Sequence, residues 1–134
     1  MNFSWPIRIY YEDTDSGGVV YHSKYLNFME RCRTELLRHL GFEQDRLIND
    51  NNMLFAVRSI NIDFNQPARF NELLEVTAQV SQLKKASLVF EQKIIRSSDQ
   101  QVLCQASVLI ACLTADGFKP RVFPEGFREA LGVD

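Results

Sequence analysis

The sequence predicts an α+β fold in which one long helix lies against an antiparallel sheet of long strands. Residues 24–40 carry apolar side chains at helical spacing, whereas most segments around them alternate between apolar and polar side chains. The last three strand-like segments follow one another across hairpin-length gaps, which is typical of antiparallel pairing. A single amphipathic helix must bury its apolar stripe, and such a sheet offers the surface for it.

The first predicted element is a strand over residues 3–11. Its odd-numbered positions from Phe3 to Tyr11 are apolar, which is the period of a half-buried strand. Pro6 has no N–H to donate to a neighbouring strand, so it indicates an edge strand or the start of a strand. The turn-forming residues 12–18 then end the pattern.

The second element is the long helix over residues 24–40. Ser23 is predicted to be its N-cap, and Gly41 is predicted to follow its C-terminal end. A helix of this length is a rod of roughly 25 Å. The apolar stripe consists of Tyr25, Phe28, Met29, Cys32, Leu36 and Leu40. Most other positions are taken by Lys24, Asn27, Glu30, Arg31, Arg33, Thr34, Glu35 and Arg38, which predicts an exposed polar side.

Four more strands and two minor elements complete the chain. A poorer helix or a loop is predicted over residues 43–52, and a short helix over residues 125–131. The strands are predicted over residues 54–64, 73–83, 87–96 and 102–114. The last of these is apolar on both faces, which is typical of a central strand buried on both sides.

Long strands and one long helix together indicate a curved five-stranded sheet wrapped around the helix. Residues 1–134 are predicted to form a single domain of this kind, since domains cluster near this length. One helix covers only one face of such a sheet. The other face, or an edge strand, is therefore expected to need a partner chain.

The composition excludes several classes of function. Fifteen Lys and Arg against 17 Asp and Glu leave a net charge of −2, which provides no basic surface for nucleic acid. Two histidines and three cysteines disfavour a zinc site, and each cysteine lies in an apolar stretch, as expected of small buried side chains in a reducing compartment. No secretory leader and no apolar window of ~18–20 residues are present. We therefore expect a cytoplasmic protein with no metal, no nucleic-acid partner and no transmembrane segment.

The segment from Tyr10 to Ser23 carries the chemistry. It places Glu12, Asp13 and Asp15 between a strand and a helix start, with two glycines in the connecting turn. The first N–H groups of a helix are unpaired and partly positive, so they can polarise a carbonyl, and glycines let a ligand approach the backbone. A carboxylate beside such donors can drive acyl transfer or hydrolysis. On spacing alone, an acidic turn whose Asp and Gly serve only turn geometry remains an alternative.

This segment resembles the signature of the hotdog-fold 4-hydroxybenzoyl-CoA thioesterase family, and more narrowly its Tol–Pal-associated acyl-CoA thioesterase branch. The matching residues are Asp13, Asp15, Gly18, Val20, Tyr21, His22 and Tyr25. Further matches lie in residues 30–35 of the helix, residues 65–69 and residues 88–90. The likeness runs from about residue 6 to Pro124. It implies a hotdog fold, in which a long five-stranded antiparallel sheet curves around one central helix.

The resemblance also implies roles for individual residues. Asp15 matches the family's catalytic carboxylate, acting as nucleophile on the thioester carbonyl or as general base for water. The backbone N–H of His22 matches the group that polarises this carbonyl, and the imidazole is a further candidate. Gly18 matches a glycine that lets the acyl group pass close to the backbone, and Tyr21 is assigned to substrate binding. Asp13 is given a structural role or one in tuning the neighbouring carboxylate.

Cations near two turns are candidates for binding the phosphates of coenzyme A. Lys84 and Lys85 lie at a strand turn, and Arg121 lies near the C-terminal end of the chain, where the family has comparable basic positions. A solvated turn is the alternative for the lysine pair. Glu30 is assigned to placing the substrate or a water, with an ordinary surface glutamate as the alternative.

The resemblance implies an acyl-CoA thioesterase, which converts acyl-CoA and water into a carboxylic acid and coenzyme A without a cofactor. Acyl carrier protein is an alternative thioester donor, and the site is expected to form between subunits of a homodimer or of a tetramer built of dimers. Two alternatives stay open: a hotdog dehydratase acting on acyl thioesters, and a non-catalytic module that binds acyl-CoA or acyl carrier protein. A dehydratase would place a histidine and an acid on the central helix, whereas Glu30 and Glu35 occupy the helix body here and His39 falls at its far end.

Overall fold

A computed structural model describes residues 2–132 of the chain and confirms the α+β fold. The strands are β1 (Asn2–Arg8), β2 (Met53–Phe64), β3 (Leu73–Leu83), β4 (Ser87–Arg96) and β5 (Val102–Thr114). The helices are α1 (His22–His39), α2 (Gln44–Asn51) and α3 (Phe127–Leu131), and Tyr11–Asp13 form one 3-10 turn. The strands pair antiparallel throughout, in the order β1-β3-β4-β5-β2. The predicted bounds of the last three strands agree with those observed.

Helix α1 packs its predicted apolar stripe against one face of the sheet. Phe28, Met29 and Cys32 are fully buried there, and they contribute to one core with the inward side chains of β3, β4 and β5. The helix ends in a Schellman motif, in which the N–H of Phe42 donates to Leu37 O at 2.8 Å and Gly41 adopts φ +91°. The predicted role of Gly41 is thereby confirmed.

The N-terminal end of α1 differs from the prediction. The helix begins at His22 with Tyr21 as its N-cap residue, so Ser23 lies inside the first turn and the prediction of Ser23 as N-cap is wrong. The reason is a backbone contact, because the N–H of Tyr21 donates to Asp13 O at 3.1 Å and holds the chain at the helix entrance. The start of α1 is therefore positioned by the preceding loop.

Strand β1 is shorter than its alternating sequence predicted. It ends at Arg8, and the chain turns so that Tyr11 is 78% exposed and not part of the apolar face. Pairing with β3 alone makes β1 an edge strand, as Pro6 indicated.

Strand β5 lies inside the sheet, but only one of its faces is fully buried. Cys104, Val108 and Cys112 face the core, whereas Gln105 is exposed and Ser107 half-buried on the opposite face. The prediction of burial on both sides of β5 is therefore confirmed for the core face and not for the outer face of a single chain. The polar outer face is the one that α1 leaves uncovered.

A smaller cluster closes one end of the molecule. Leu47 of α2, Met53 and Cys112 pack together there, against Phe42, Phe55 and Phe123. The predicted short elements are confirmed as the helices α2 and α3. Among the described helices, none combines the length and the apolar character needed to cross a membrane.

Candidate functional site

The loop before α1 is held in shape by the buried carboxylate of Asp13. Its Oδ2 accepts the N–H of Tyr10 at 2.9 Å, and Lys24 Nζ lies 3.8 Å from Oδ1. Its backbone oxygen also accepts a hydrogen bond from the N–H of Tyr21. Asp13 therefore links the 3-10 turn, the loop and the first turn of the helix, which is the structural role considered for it.

Asp15 lies two residues further on, at the exposed tip of this loop. Its Oδ1 accepts the N–H of Gly17 at 2.8 Å, and its N–H and O bond to Val19 and Gly18 in a tight turn. Gly18 adopts φ +79°, a left-handed conformation that favours glycine. No group among the described residues donates to Oδ2 of Asp15, so this oxygen remains free to act on a substrate or a water.

The first N–H groups of α1 lie directly after this turn. Within residues 2–132, the N–H groups of His22 and Ser23 have no acceptor, whereas Lys24 already donates to Tyr21 O at 2.9 Å. No acidic side chain occupies the first turn of α1, so nothing from that turn neutralises the positive end of the helix dipole. Two unpaired donors and a partial positive charge can polarise a carbonyl oxygen placed there.

Residues 65–68 form the other side of the helix entrance. The N–H of Val20 donates to Ala68 O at 2.9 Å, and the N–H of Ala68 donates to the hydroxyl of Tyr25 at 2.9 Å. Burial raises the pKa of Tyr25, which keeps its hydroxyl protonated. These bonds fasten the segment to the helix, so the opening motif and the further match over residues 65–69 meet in space.

A cavity of about 260 Å³ lies where these parts meet. Its lining residues are Val20, His22, Tyr25, Phe64, Asn65, Gln66 and Pro67. The imidazole of His22 packs between the rings of Tyr21 and Phe64, at centroid distances of 4.4 and 6.4 Å. Sequence reasoning assigned no role to Asn65 and Gln66. The signal that could have identified them was the family match over residues 65–69, in which only Arg69 had been considered, as a further phosphate ligand.

Glu30 lies two turns along α1 at a second cavity of about 270 Å³, between the helix and the sheet. One wall comes from α1 with Leu26, Glu30, Arg33 and Leu37, and the others include Phe55, Val57, Ile60, Leu88, Phe90, Ile110 and Phe127. Arg33 was predicted for the exposed polar side of α1, and this is wrong, because the side chain is only 8% exposed. The cavity therefore combines an apolar sheet side with a largely polar helical wall, on which Glu30 and the buried Arg33 lie beside Asn27 and Thr34.

The candidate phosphate ligands do not all line one cavity. Lys84 and Lys85 line a cavity of about 240 Å³ together with Arg128, which sequence reasoning did not consider. Arg121 is not among the residues of that cavity; its Nη1 donates to Asn51 O at 2.7 Å, at the C-terminal end of α2. Arg121 thus has a structural contact, and its binding role stays a prediction.

The lysine turn and the helix entrance lie at opposite ends of β3. The loop of residues 65–72 leads into β3 at Leu73, and Lys84 follows its last residue, so eleven residues separate the two sites by roughly 35 Å. Gly18, Tyr21 and His22 are thus brought together with Asp15 at one end, and the lysines lie at the other. Among the described residues, no three His, Cys, Asp or Glu side chains are placed to hold a metal ion.

A further groove lies on the outer face of the sheet, away from the motif. It measures about 730 Å³ and includes Glu75, Thr77, Glu91 and Ser107, whose hydroxyl donates to the Glu91 carboxylate. None of the predicted site residues lines it.

Comparison with known proteins establishes the family. The chain matches the Thioesterase superfamily over residues 17–103. The acyl-CoA thioesterase YbgC of Haemophilus influenzae is 44% identical over 129 residues, covering 96% of this chain and 93% of that protein. A probable thioesterase from Bartonella henselae has a crystal structure with a TM-score of 0.87 and 36% identity, covering 92% of this chain and 100% of that one. The crystal structure of a 1,4-dihydroxy-2-naphthoyl-CoA thioesterase from Synechocystis has a TM-score of 0.91 at 21% identity, covering 98% of this chain and 96% of that one. That protein therefore has the same fold as this chain.

The superfamily match includes Gly18, His22 and the lysine pair, but it begins two residues after Asp15. The superfamily match, the sequence identity to relatives and the structural similarity all extend over most of the chain. The protein therefore belongs to the thioesterase superfamily, as a hotdog-fold thioester hydrolase of the YbgC type.

Proposed function

We propose that the protein is an acyl-CoA thioesterase that hydrolyses acyl-CoA to a carboxylic acid and coenzyme A, with Asp15 as nucleophile or general base. The substrate class follows from the name of the Haemophilus influenzae relative. The single observation that carries the mechanism is the loop that carries a free Asp15 oxygen and leads directly into the unpaired N–H groups at the start of α1. These are the two groups that thioester hydrolysis requires.

The thioester oxygen accepts the N–H of His22 in this mechanism, so that charge developing on the oxygen is stabilised by the helix end. In the nucleophilic route, Asp15 attacks the carbonyl carbon, the carbon–sulfur bond breaks, and coenzyme A leaves as a thiolate that takes up a proton. Water then hydrolyses the mixed anhydride and restores the carboxylate. In the general-base route, Asp15 takes a proton from the attacking water, and that proton finally reaches the departing sulfur.

The remaining candidates position the substrate. Gly18 leaves room for the acyl group to pass the backbone, and the exposed ring of Tyr21 lies over the imidazole of His22 at the entrance. Glu30 reaches the 270 Å³ cavity, where it can orient a water or a polar acyl substituent. Lys84 and Lys85 bind the phosphates of coenzyme A at their exposed turn.

We infer a homodimer, alone or paired into a tetramer, because one chain does not bring both ends of the substrate site together. The lysines and Asp15 lie at opposite ends of β3, so that a second copy must contribute one of them to a given substrate. Acyl carrier protein is a further candidate donor of the thioester, and a cytoplasmic location matches the supply of acyl-CoA. No resident cofactor takes part in this mechanism.

The mechanism is tested by replacing Asp15 with Asn and measuring hydrolysis of a panel of acyl-CoAs. We expect kcat to fall by about 10²–10⁴-fold, because the variant can neither attack nor take a proton. Asp50→Asn is the matched control, since Asp50 is an exposed carboxylate of α2 and should leave kcat unchanged. Full turnover by Asp15→Asn would show that another group activates the nucleophile.

Two further measurements separate the remaining routes. In a single turnover in heavy-oxygen water, label in the Asp15 carboxylate identifies the nucleophilic route in which water attacks the aspartyl carbonyl of the mixed anhydride. The general-base route places the label only in the acid product. Incubation with a 3-hydroxyacyl thioester should release free thiol without enoyl product. Formation of the enoyl product instead would identify a dehydratase.

A further inference from the structure

Arg96 is a charged residue on the core-facing side of β4. Ile94 and Gln92, two and four positions earlier on the same side of the strand, are fully buried. Arg96 lies opposite Leu74 at the start of β3, where the chain enters the sheet from the loop of residues 65–72. Its side chain is 18% exposed, because the chain of this loop covers most of it.

The guanidinium of Arg96 holds three partners in two loops. Nη2 donates to Pro67 O at 3.1 Å, and Nε lies 2.8 Å from Oε2 of Glu72, so two nitrogens hold the segment of residues 67–72 at both of its ends. Nη1 donates to Asp99, in the turn between β4 and β5, at 3.0 Å. A planar arginine fork fixes the directions of several partners at once, which a lysine ammonium cannot do.

The segment of residues 67–72 pairs in turn with the loop before α1. Oε1 of Glu72 accepts the N–H of Arg69 at 2.7 Å, and Arg69 forms an antiparallel bridge with Val19. Beside this bridge, the N–H of Val20 donates to Ala68 O at 2.9 Å. The loop before α1 therefore lies against a short edge whose far side is held by Arg96.

The loop before α1 carries both groups that the proposed mechanism requires. Val19 O accepts the N–H of Asp15 at 2.9 Å, and Thr14 forms an antiparallel bridge with Val20. His22, whose N–H is to polarise the thioester, follows Val20 by two residues. The separation between the Asp15 carboxylate and this N–H therefore depends on how the backbone at Val19 and Val20 is held.

We propose that Arg96 is a positioning residue for thioester hydrolysis, which acts through residues 67–72 to hold Asp15 and the N–H of His22 in register. This inference rests on the acyl-CoA thioesterase function proposed above. One thioester carbonyl must meet both groups at the same time, and a misplacement of about 1 Å can slow such a reaction about 10²-fold. A residue that served only stability would leave kcat of the folded enzyme unchanged.

The test measures kcat and KM of Arg96→Met with one acyl-CoA, at a temperature at which circular dichroism shows the variant to be folded. We expect kcat to fall by about 10–100-fold while KM changes less than about threefold, because the loss arises in the transition state. Asp99→Asn is the matched control. It weakens the contact of the same guanidinium with the turn between β4 and β5 and leaves residues 67–72 held, so kcat should keep its wild-type value.

A comparison in the Asp15→Asn background separates positioning from a general loosening of the fold. Once the carboxylate is lost, its placement no longer matters, so adding Arg96→Met should lower the residual rate by less than about twofold. A general loosening would lower the rates with and without the carboxylate by the same factor.

Glu72→Gln covers the case in which Arg96→Met does not fold. Glutamine keeps an oxygen for the N–H of Arg69 but loses the charge that faces Arg96, so kcat should fall by a smaller factor of about three to ten.

The outcomes distinguish this inference from the proposed function. Wild-type kcat in whichever of Arg96→Met and Glu72→Gln fold would overturn the positioning role while upholding acyl-CoA hydrolysis. Equal losses with and without the Asp15 carboxylate, or a loss in Asp99→Asn as large as that in Arg96→Met, would overturn it too. If the wild type cleaves no acyl-CoA of any kind, the proposed function fails, and the inference fails with it.

Discussion

Replacing Tyr25 with Phe removes a single hydroxyl that joins α1 to the segment of residues 65–68. The Tyr25 hydroxyl accepts the N–H of Ala68 at 2.9 Å, and the two residues are only 4% and 0% exposed, so water cannot take over this bond. Leaving a buried N–H without an acceptor costs about 1–3 kcal/mol. The shape of the ring is kept, so the loss should not include a cavity term.

The expected result is a fall of about 1–3 kcal/mol in the free energy of unfolding, measured by urea denaturation. This corresponds to roughly 3–5 °C in Tm for each kcal/mol in a domain of this size. Tyr11→Phe is the control, because the ring of Tyr11 is largely exposed and loses no buried bond. A loss below about 0.5 kcal/mol in Tyr25→Phe would refute the reasoning, since the N–H of Ala68 would then have another acceptor.

The remaining predictions concern the thiols and the lysine turn. Burial raises the pKa of Cys32 and Cys104 to about 12 and that of Cys112 to about 11, so a thiol reagent at pH 8 should label them only after unfolding. Above the ordinary thiol pKa of 9.0, the unfolded chain binds fewer protons than the folded chain, so the free energy of unfolding should fall from about pH 9 towards pH 12. This fall should be smaller in a variant in which all three cysteines are replaced by Ala. Charge reversal at Lys84 and Lys85 should raise KM for acyl-CoA about tenfold with kcat unchanged. Two controls should give wild-type kinetics: the Lys93→Glu variant with acyl-CoA, and the double variant with a pantetheine thioester that lacks the phosphates. An unchanged KM for acyl-CoA in the double variant would exclude the lysine turn as the phosphate site.

Periodic patterns of apolar residues predicted the helix and most strands well, because the side of an element that packs against the core depends on residues close together in sequence. Helical spacing from Tyr25 to Leu36 located α1, and Gly41 marked its end, since both depend on residues within a few turns of one another. Alternation located β3 to within a residue at each end. These features need no knowledge of the rest of the chain.

Contacts between residues far apart in sequence account for most of the differences between the predicted and the observed structure. The apolar alternation of β1 continues to Tyr11, but the carboxylate of Asp13 binds the N–H of Tyr10 and turns the chain before that residue. Arg33 is polar and occupies a helix position beside the apolar stripe, and only its bond to Gln92, fifty-nine residues away, draws it into the interior. Arg121 likewise reaches Asn51, at a separation of seventy residues that no local pattern indicates. The location of the candidate site residues was therefore predictable where the family signature is continuous in sequence, whereas contacts between residues joined across the sheet were not.

The two edges of the sheet differ in their capacity to pair with a second copy. Strand β1 contains Pro6, which has no N–H for a further ladder, whereas β2 runs for twelve residues without proline. Strand β2 also exposes 47% of Val57 and 49% of Phe64, an apolar edge of the kind that protein partners cover. We therefore expect a second copy to associate along β2.

A two-fold axis at the middle of β2 would place the Met53 end of one copy beside the Phe64 end of the other. The lysine turn belongs to the Met53 end, because Phe123 N–H donates to Lys85 O at 3.1 Å and the ring of Phe123 packs on Phe55. The helix entrance belongs to the Phe64 end, through the contact between His22 and Phe64. Antiparallel pairing along this edge would thus bring the lysine turn of one subunit towards the helix start of the other, which a single chain of these dimensions cannot do.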